Sequence, residues 1–211
     1  MELILSCNGQ HINEHWVNIG HCNDRLSDKW IIASIRLAKV LKEEPIDFIF
    51  CSDIGDRRTT ADLVAEELEE DKFHIIVDLG LREKSAEICG PEKKKHIKNT
   101  WGTDPEQNEI LHRLFIKSET RESWIRLDET DQQVRERAKK FLRKLTKEYP
   151  SWALTLVIGN PIFNSFLVAC ILGQEGKEYN YITDPCSISR FLFREDKWHL
   201  IDFNNVKHLH K

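Results

Sequence analysis

The residues that could do chemistry in this chain sit where apolar runs end. Leu3-Ile4-Leu5 leads into Ser6-Cys7-Asn8-Gly9-Gln10, so a thiol and an amide are delivered to a glycine loop by what reads as a first strand. A thiol can act as a nucleophile, but only as a thiolate, which needs cationic surroundings or a helix N-terminus. The positions around Cys7 are neutral or acidic, so it reads as a buried, inert cysteine. Asn8 offers an amide nitrogen, which is not nucleophilic at neutral pH. Asp56 follows the second apolar run, Glu83 the third and Asn160 the fourth. Either carboxylate could serve as a base for water. His11, His15, His21 and Cys22 have metal-ligand chemistry, but no matching second half is visible, so no metal and no cofactor are expected. Lys93-Lys94-Lys95-His96 and His112-Arg113 could grip an anion, although such charge runs usually form a solvated face.

Composition sets the frame for these residues. The 211 residues are 40% hydrophobic and 31% charged, which is ordinary for a packed domain. A net charge of −4 carries no basic footprint for nucleic acid. No apolar run is long enough to span a membrane and no cleavable leader is visible, so a soluble protein of the cytoplasm or nucleus is expected. Six cysteines (Cys7, Cys22, Cys51, Cys89, Cys170, Cys186) show no CxxC pair, which favours reduced thiols over a disulfide framework.

The elements that must position the chemistry alternate. An amphipathic helix runs from Asp28 to about Glu43, with Ile31, Ile35, Ala38 and Leu41 at helical spacing. Asp47 to Cys51 is a second strand, a helix is marked by Ala61, Val64, Ala65 and Leu68, and Phe73 to Val77 is a third strand. A long helix spans Glu129 to Tyr149, with Val134, Ala138, Phe141, Leu142 and Leu145 on one face. Ala153 to Ile158 is a fourth strand, and Pro161 opens a helix that Gly173 closes. Ser187 to Phe193 and Trp198 to Phe203 make a terminal hairpin. This order predicts an α/β fold: a three-layer α/β/α sandwich on a mixed, mostly parallel sheet. A single domain over residues 1–211 is expected, with 84–128 as a charged, cap-like insertion.

The order of parts resembles the histidine phosphatase superfamily, with its phosphoglycerate mutase-like fold, over nearly the full length. Ser6-Cys7-Asn8-Gly9-Gln10 stands where that family carries Arg-His-Gly after its first strand. Leu26-Ser27-Asp28-Lys29 resembles its entry to the first helix, with Trp30 where glycine is usual. Cys51-Ser52-Asp53-Ile54 with Thr60-Ala61 resembles its Ser-Ser-x-Leu-x-Arg-Ala-x-x-Thr-Ala stretch. Leu81-Arg82-Glu83 looks like the segment of its general acid, and Ile158-Gly159-Asn160 like the turn that presents its second histidine. Pro185-Cys186-Ser187-Ile188 and Asn204-Asn205-Val206-Lys207-His208-Leu209 are similar to its closing hairpin and tail.

The resemblance implies a degenerate pocket made of Cys7, Asn8, Asp56, Glu83 and Asn160. Both arginines, the nucleophilic histidine and the second histidine are replaced, and Glu83 alone persists. Phosphoryl transfer depends on positioning and on positive charge, so two carboxylates and two amides imply a lost activity. Arg57 lies one place past the expected arginine, and a one-residue slip would aim it inward. The expectation is a pseudoenzyme: a non-catalytic interaction or scaffold subunit whose partners are proteins, a homodimer among them, with no catalytic residue and no membrane or nucleic-acid contact. Trp101 and Trp124, in the charged insertion, are the candidate partner-binding anchors. The alternative is a divergent hydrolase that uses Glu83 or Asp56 to direct a water.

Overall fold

Alternation along the apolar runs builds the sheet. Strand β1 covers Glu2–Cys7, β2 Ile46–Cys51, β3 Ile75–Val77, β4 Leu154–Gly159, β5 Ile188–Arg194 and β6 Lys197–Asn205. The helices are α1 (Asp28–Leu41), α2 (Gly55–Glu67), α3 (Asp131–Glu148) and α4 (Pro161–Leu172). The computed structural model describes residues 1–9, 26–53, 55–68, 75–84 and 129–210, without the Asp56 side chain. By its contacts the chain divides into two compact units, residues 1–83 with 132–211 and residues 84–131. The first unit holds the sheet and is described below. The expected insertion at 84–128 lies, apart from Lys84, outside the described residues.

The strand order is β3-β2-β4-β1-β5-β6. β4 pairs in parallel with β1 and β2, β2 in parallel with β3, and β5 runs antiparallel to β1 and to β6. Parallel neighbours need crossover helices, and these cover both faces of the sheet. On one face Ile4, Ile49, Leu156 and Ile158 pack with Leu37 and Leu41 of α1 and with Val64 of α2. On the other, Leu3, Leu5, Phe50 and Val157 pack with Phe141 of α3 and with Phe166 of α4. The three-layer α/β/α sandwich on a mixed sheet is therefore observed. Among the described residues no helix is long and apolar enough to cross a membrane.

Two differences from the expected elements have physical causes. α2 begins at Gly55, a turn and a half before the first expected residue, Ala61. Its buried face is Arg57, Thr60, Ala61, Val64, Ala65 and Leu68, which is helical spacing throughout. The first of these inward positions is an arginine, so apolar periodicity could not reveal that turn. β5 reaches Arg194 and β6 starts at Lys197, each one residue nearer the turn than expected, because Glu195 and Asp196 both take positive φ (52° and 58°). That is the geometry of a two-residue primed turn, which lets the ladder begin at once on either side.

Candidate functional site

The carboxyl ends of β1, β4 and β2 lie side by side, where open α/β sheets place their ligands. Cys7 is level with Gly159 in the β1–β4 ladder. Asn8 N–H donates to the Gly159 carbonyl at 2.9 Å, which sets Asn8 next to Asn160. Gly159 is required at this point, because a Cβ would overlap the side-chain oxygen of Asn164, whose Nδ2 is bonded to the Ser6 carbonyl at 3.1 Å. Gly9 N–H donates to Thr60 Oγ1 of α2 at 3.2 Å. A Cβ on Gly9 would meet Trp30 Cβ at 3.0 Å and Leu26 Cδ2 at 3.1 Å, so Trp30 and Leu26 close over the loop.

Cys7 and Asn8 are both buried. The Cys7 carbonyl accepts from Cys186 N–H at 2.9 Å, and its Sγ faces Asn8 Oδ1 at 4.0 Å. Asn8 Nδ2 donates to the Gly9 carbonyl at 2.6 Å. Three further cysteines are free: burial raises the thiol pKa to about 12 in Cys51 and Cys186 and to about 11 in Cys170. Those three stay protonated and unreactive at neutral pH.

Arg57 changes the expected electrostatics. It is 1% exposed, and its Nε donates to Asn160 Oδ1. A guanidinium is therefore present at the site, and the inward aim of Arg57 that the sequence left open is the one observed. The Asp56 side chain lies outside the described residues.

Glu83 is half-buried and seated on the backbone of α4. Its Oε1 accepts from Phe163 N–H at 2.9 Å and its Oε2 from Ile162 N–H at 3.3 Å. These are the second and third residues of α4, whose N-cap, Asn160, makes no side-chain capping bond of its own. A carboxylate on those two donors satisfies groups that a helix leaves unpaired and complements its dipole. The loop that delivers Glu83 is tied down from three sides. Arg82 pairs with Asp53 through bonds of 2.7 and 2.5 Å. Arg137 of α3 donates to the carbonyls of Gly80 (2.5 Å) and Arg82 (2.7 Å) while lying 4.5 Å over the Phe163 ring. Asp78 accepts from Gly80 N–H and pairs with Lys144, each at 2.7 Å. Hydrogen bonding to Arg82 holds the Asp53 carboxyl below its usual range. Arg137 carried no sequence signal, since it acts on backbone carbonyls remote in the chain.

The remaining candidates lie outside the described residues: His11, His15, His21, Cys22, Cys89, Trp101, Trp124 and the two basic clusters. Among the described residues no three His, Cys, Asp or Glu side chains converge on a common point suited to a metal.

The loop after β1, the arginine of α2, the acid after β3 and the turn after β4 thus converge in one sheet edge. The family model for the histidine phosphatase superfamily (branch 1) matches residues 8–206. The chain belongs to the histidine phosphatase superfamily. A relative, the "Probable phosphoglycerate mutase GpmB" of Escherichia coli O139:H28, is 29% identical over 180 residues, covering 85% of this chain and 78% of that protein. The alpha-ribazole phosphatase of Shigella flexneri has a similar fold, with a TM-score of 0.73 at 19% identity, covering 97% of this chain and 96% of that one. The phosphoglycerate mutase of Bacillus anthracis str. Sterne matches with a TM-score of 0.70 at 17% identity, covering 100% and 95%. The fold is phosphoglycerate mutase-like.

Proposed function

We propose that this chain is a catalytically inactive histidine phosphatase-like protein that works as an interaction or scaffold subunit. The observation that carries the reading is Asn8 at the nucleophile's position, buried, with its amide turned to the Gly9 carbonyl. A phospho-enzyme needs a lone pair that an amide does not offer. The seat of Glu83 supports the same reading, since both oxygens of the general acid's carboxylate already accept backbone hydrogen bonds. The partner class is protein, with Trp101 and Trp124 as proposed anchors.

A divergent hydrolase is the second reading, and Arg57 supports it specifically. A buried guanidinium at the sheet edge could stabilise an oxyanion while Glu83 or Asp56 directs a water. Hydrolysis of an aryl phosphate by the purified protein separates the two. The proposal expects no turnover above the blank and no acid-labile phosphohistidine. Turnover that vanishes on Glu83→Ala and survives Cys7→Ser would overturn it in favour of the hydrolase.

A further inference from the structure

We propose that Glu83 is the built-in occupant of an oxyanion site, a carboxylate that seats on the first turn of α4 and closes the site to external anions. The inference rests on the reading of an inert pocket and says what keeps that pocket closed.

The donors at this point are more than a helix end. Ile162 and Phe163 direct two backbone N–H groups at the Glu83 carboxylate. Asn160, the N-cap, is fully buried, and its Nδ2 has no hydrogen-bond partner among the described residues. Buried polar groups are nearly always paired, so an unpaired amide donor beside two helix N–H groups belongs to a place built to receive an acceptor. Arg57 orients that amide by donating to its Oδ1, which turns the Nδ2 hydrogens away from the guanidinium. Two N–H groups and one amide, the amide oriented by the Arg57 guanidinium, form a donor set for an oxyanion.

Glu83 meets that set from within the chain. Its approach is not accidental, because Arg82–Asp53, Arg137 on two carbonyls and Lys144–Asp78 all fix the same short loop. Arg137 also lies on the ring of Phe163, whose N–H binds Glu83, so one side chain holds both halves of the contact. With the carboxylate seated, an incoming oxyanion meets a like charge and finds the two helix donors taken. Once the carboxylate is removed, the same donors become available.

Orthovanadate and inorganic phosphate are the probes, titrated calorimetrically against wild-type protein, Glu83→Gln and Glu83→Ala, with folding checked by circular dichroism. The expected result is no binding to wild type at millimolar probe, a gain of at least tenfold in affinity in Glu83→Ala, and a smaller gain in Glu83→Gln, whose amide oxygen can still accept from the helix. Arg57→Gln added to Glu83→Ala should abolish that gain. Folded variants that bind no better than wild type would overturn the proposal. A second measurement needs no variant: in wild type the amide signals of Ile162 and Phe163 should not move on addition of vanadate, and a saturable shift there would also overturn it. An inert wild type whose variants gain nothing defeats this inference alone. Hydrolysis by wild type defeats the inactive reading first.

Discussion

Two regions of the first unit each hold an arginine and a glutamate, one of the two buried, and they deal with the charges differently. On the flank of α3, Arg135 meets Glu178 directly, with Nε at 2.7 Å and a second nitrogen at 2.6 Å from the same carboxylate oxygen. Gly176 N–H adds a third bond to that oxygen, and Lys139 with Glu175 extends the network at 2.9 Å. At the sheet edge, Arg57 donates to the neutral Asn160, and Glu83 accepts from backbone N–H groups. The first region answers charge with charge and locks two segments together. At the second, Arg57 and Glu83 bond neutral amide groups, and after Arg82 the Arg57 charge also helps to hold the nearby Asp53 carboxyl low. The difference separates a structural ion pair from a site.

Removing one partner from the structural pair should therefore have the largest effect. Arg135→Ala leaves Glu178 only 3% exposed and without its cation, so a loss of about 3 kcal/mol is expected in urea unfolding. Glu83→Gln should cost about 1 kcal/mol or less, the scale of a helix-terminus charge. Equal losses in the two variants would erase the distinction.

The next effect sharpens the geometry of the site. Gly159→Ala should cost about 2 kcal/mol, since the added methyl overlaps the Asn164 side chain in a buried layer. Adding Asn164→Ala should recover part of that loss, and a double-mutant cycle read by denaturant unfolding measures it. Strict additivity would mean that the two residues do not meet.

The smallest effect is expected from pH, and it has two stages. Burial is the main cause that lowers the His208 pKa from its ordinary 6.5. Its ring donates to the Cys186 carbonyl at 2.9 Å, and Cys186 N–H in turn bonds the Cys7 carbonyl at the site. Below about pH 6.5 the unfolded chain takes up a proton before the folded one, so stability falls with pH until the folded His208 also titrates. His208→Asn should flatten that first stage in a plot of Tm against pH. The second stage belongs to Glu178 and Asp53. Burial would raise the Glu178 pKa, but the backbone N–H groups and Arg135 outweigh it, and Arg82 lowers that of Asp53. Both contribute stability that is complete above the unfolded carboxylate range and lost as pH falls through the folded values. Arg135→Ala should weaken the second stage and leave the first unchanged.

Much of this was legible in the sequence, for reasons that differ by residue. The layers follow from local pattern: apolar runs at strand spacing, helical stripes such as Val134, Ala138, Phe141 and Leu145, and Pro161 and Gly173 at the ends of α4. The identity of position 8 is covalent, so the absence of a histidine nucleophile there needed no coordinates. The inward turn of Arg57 needed the tertiary structure, because which α2 side chain faces the sheet depends on where that helix begins, and its first turn carries no apolar mark. The seat of Glu83 needed it too. Its donors lie 79 and 80 residues away in the chain, and Arg137, which secures the loop, acts on carbonyl oxygens that every residue possesses. Sequence specifies side chains and periodicities, whereas contacts between a side chain and a distant backbone exist only once the sheet has brought the chain ends of β1, β2 and β4 to one edge.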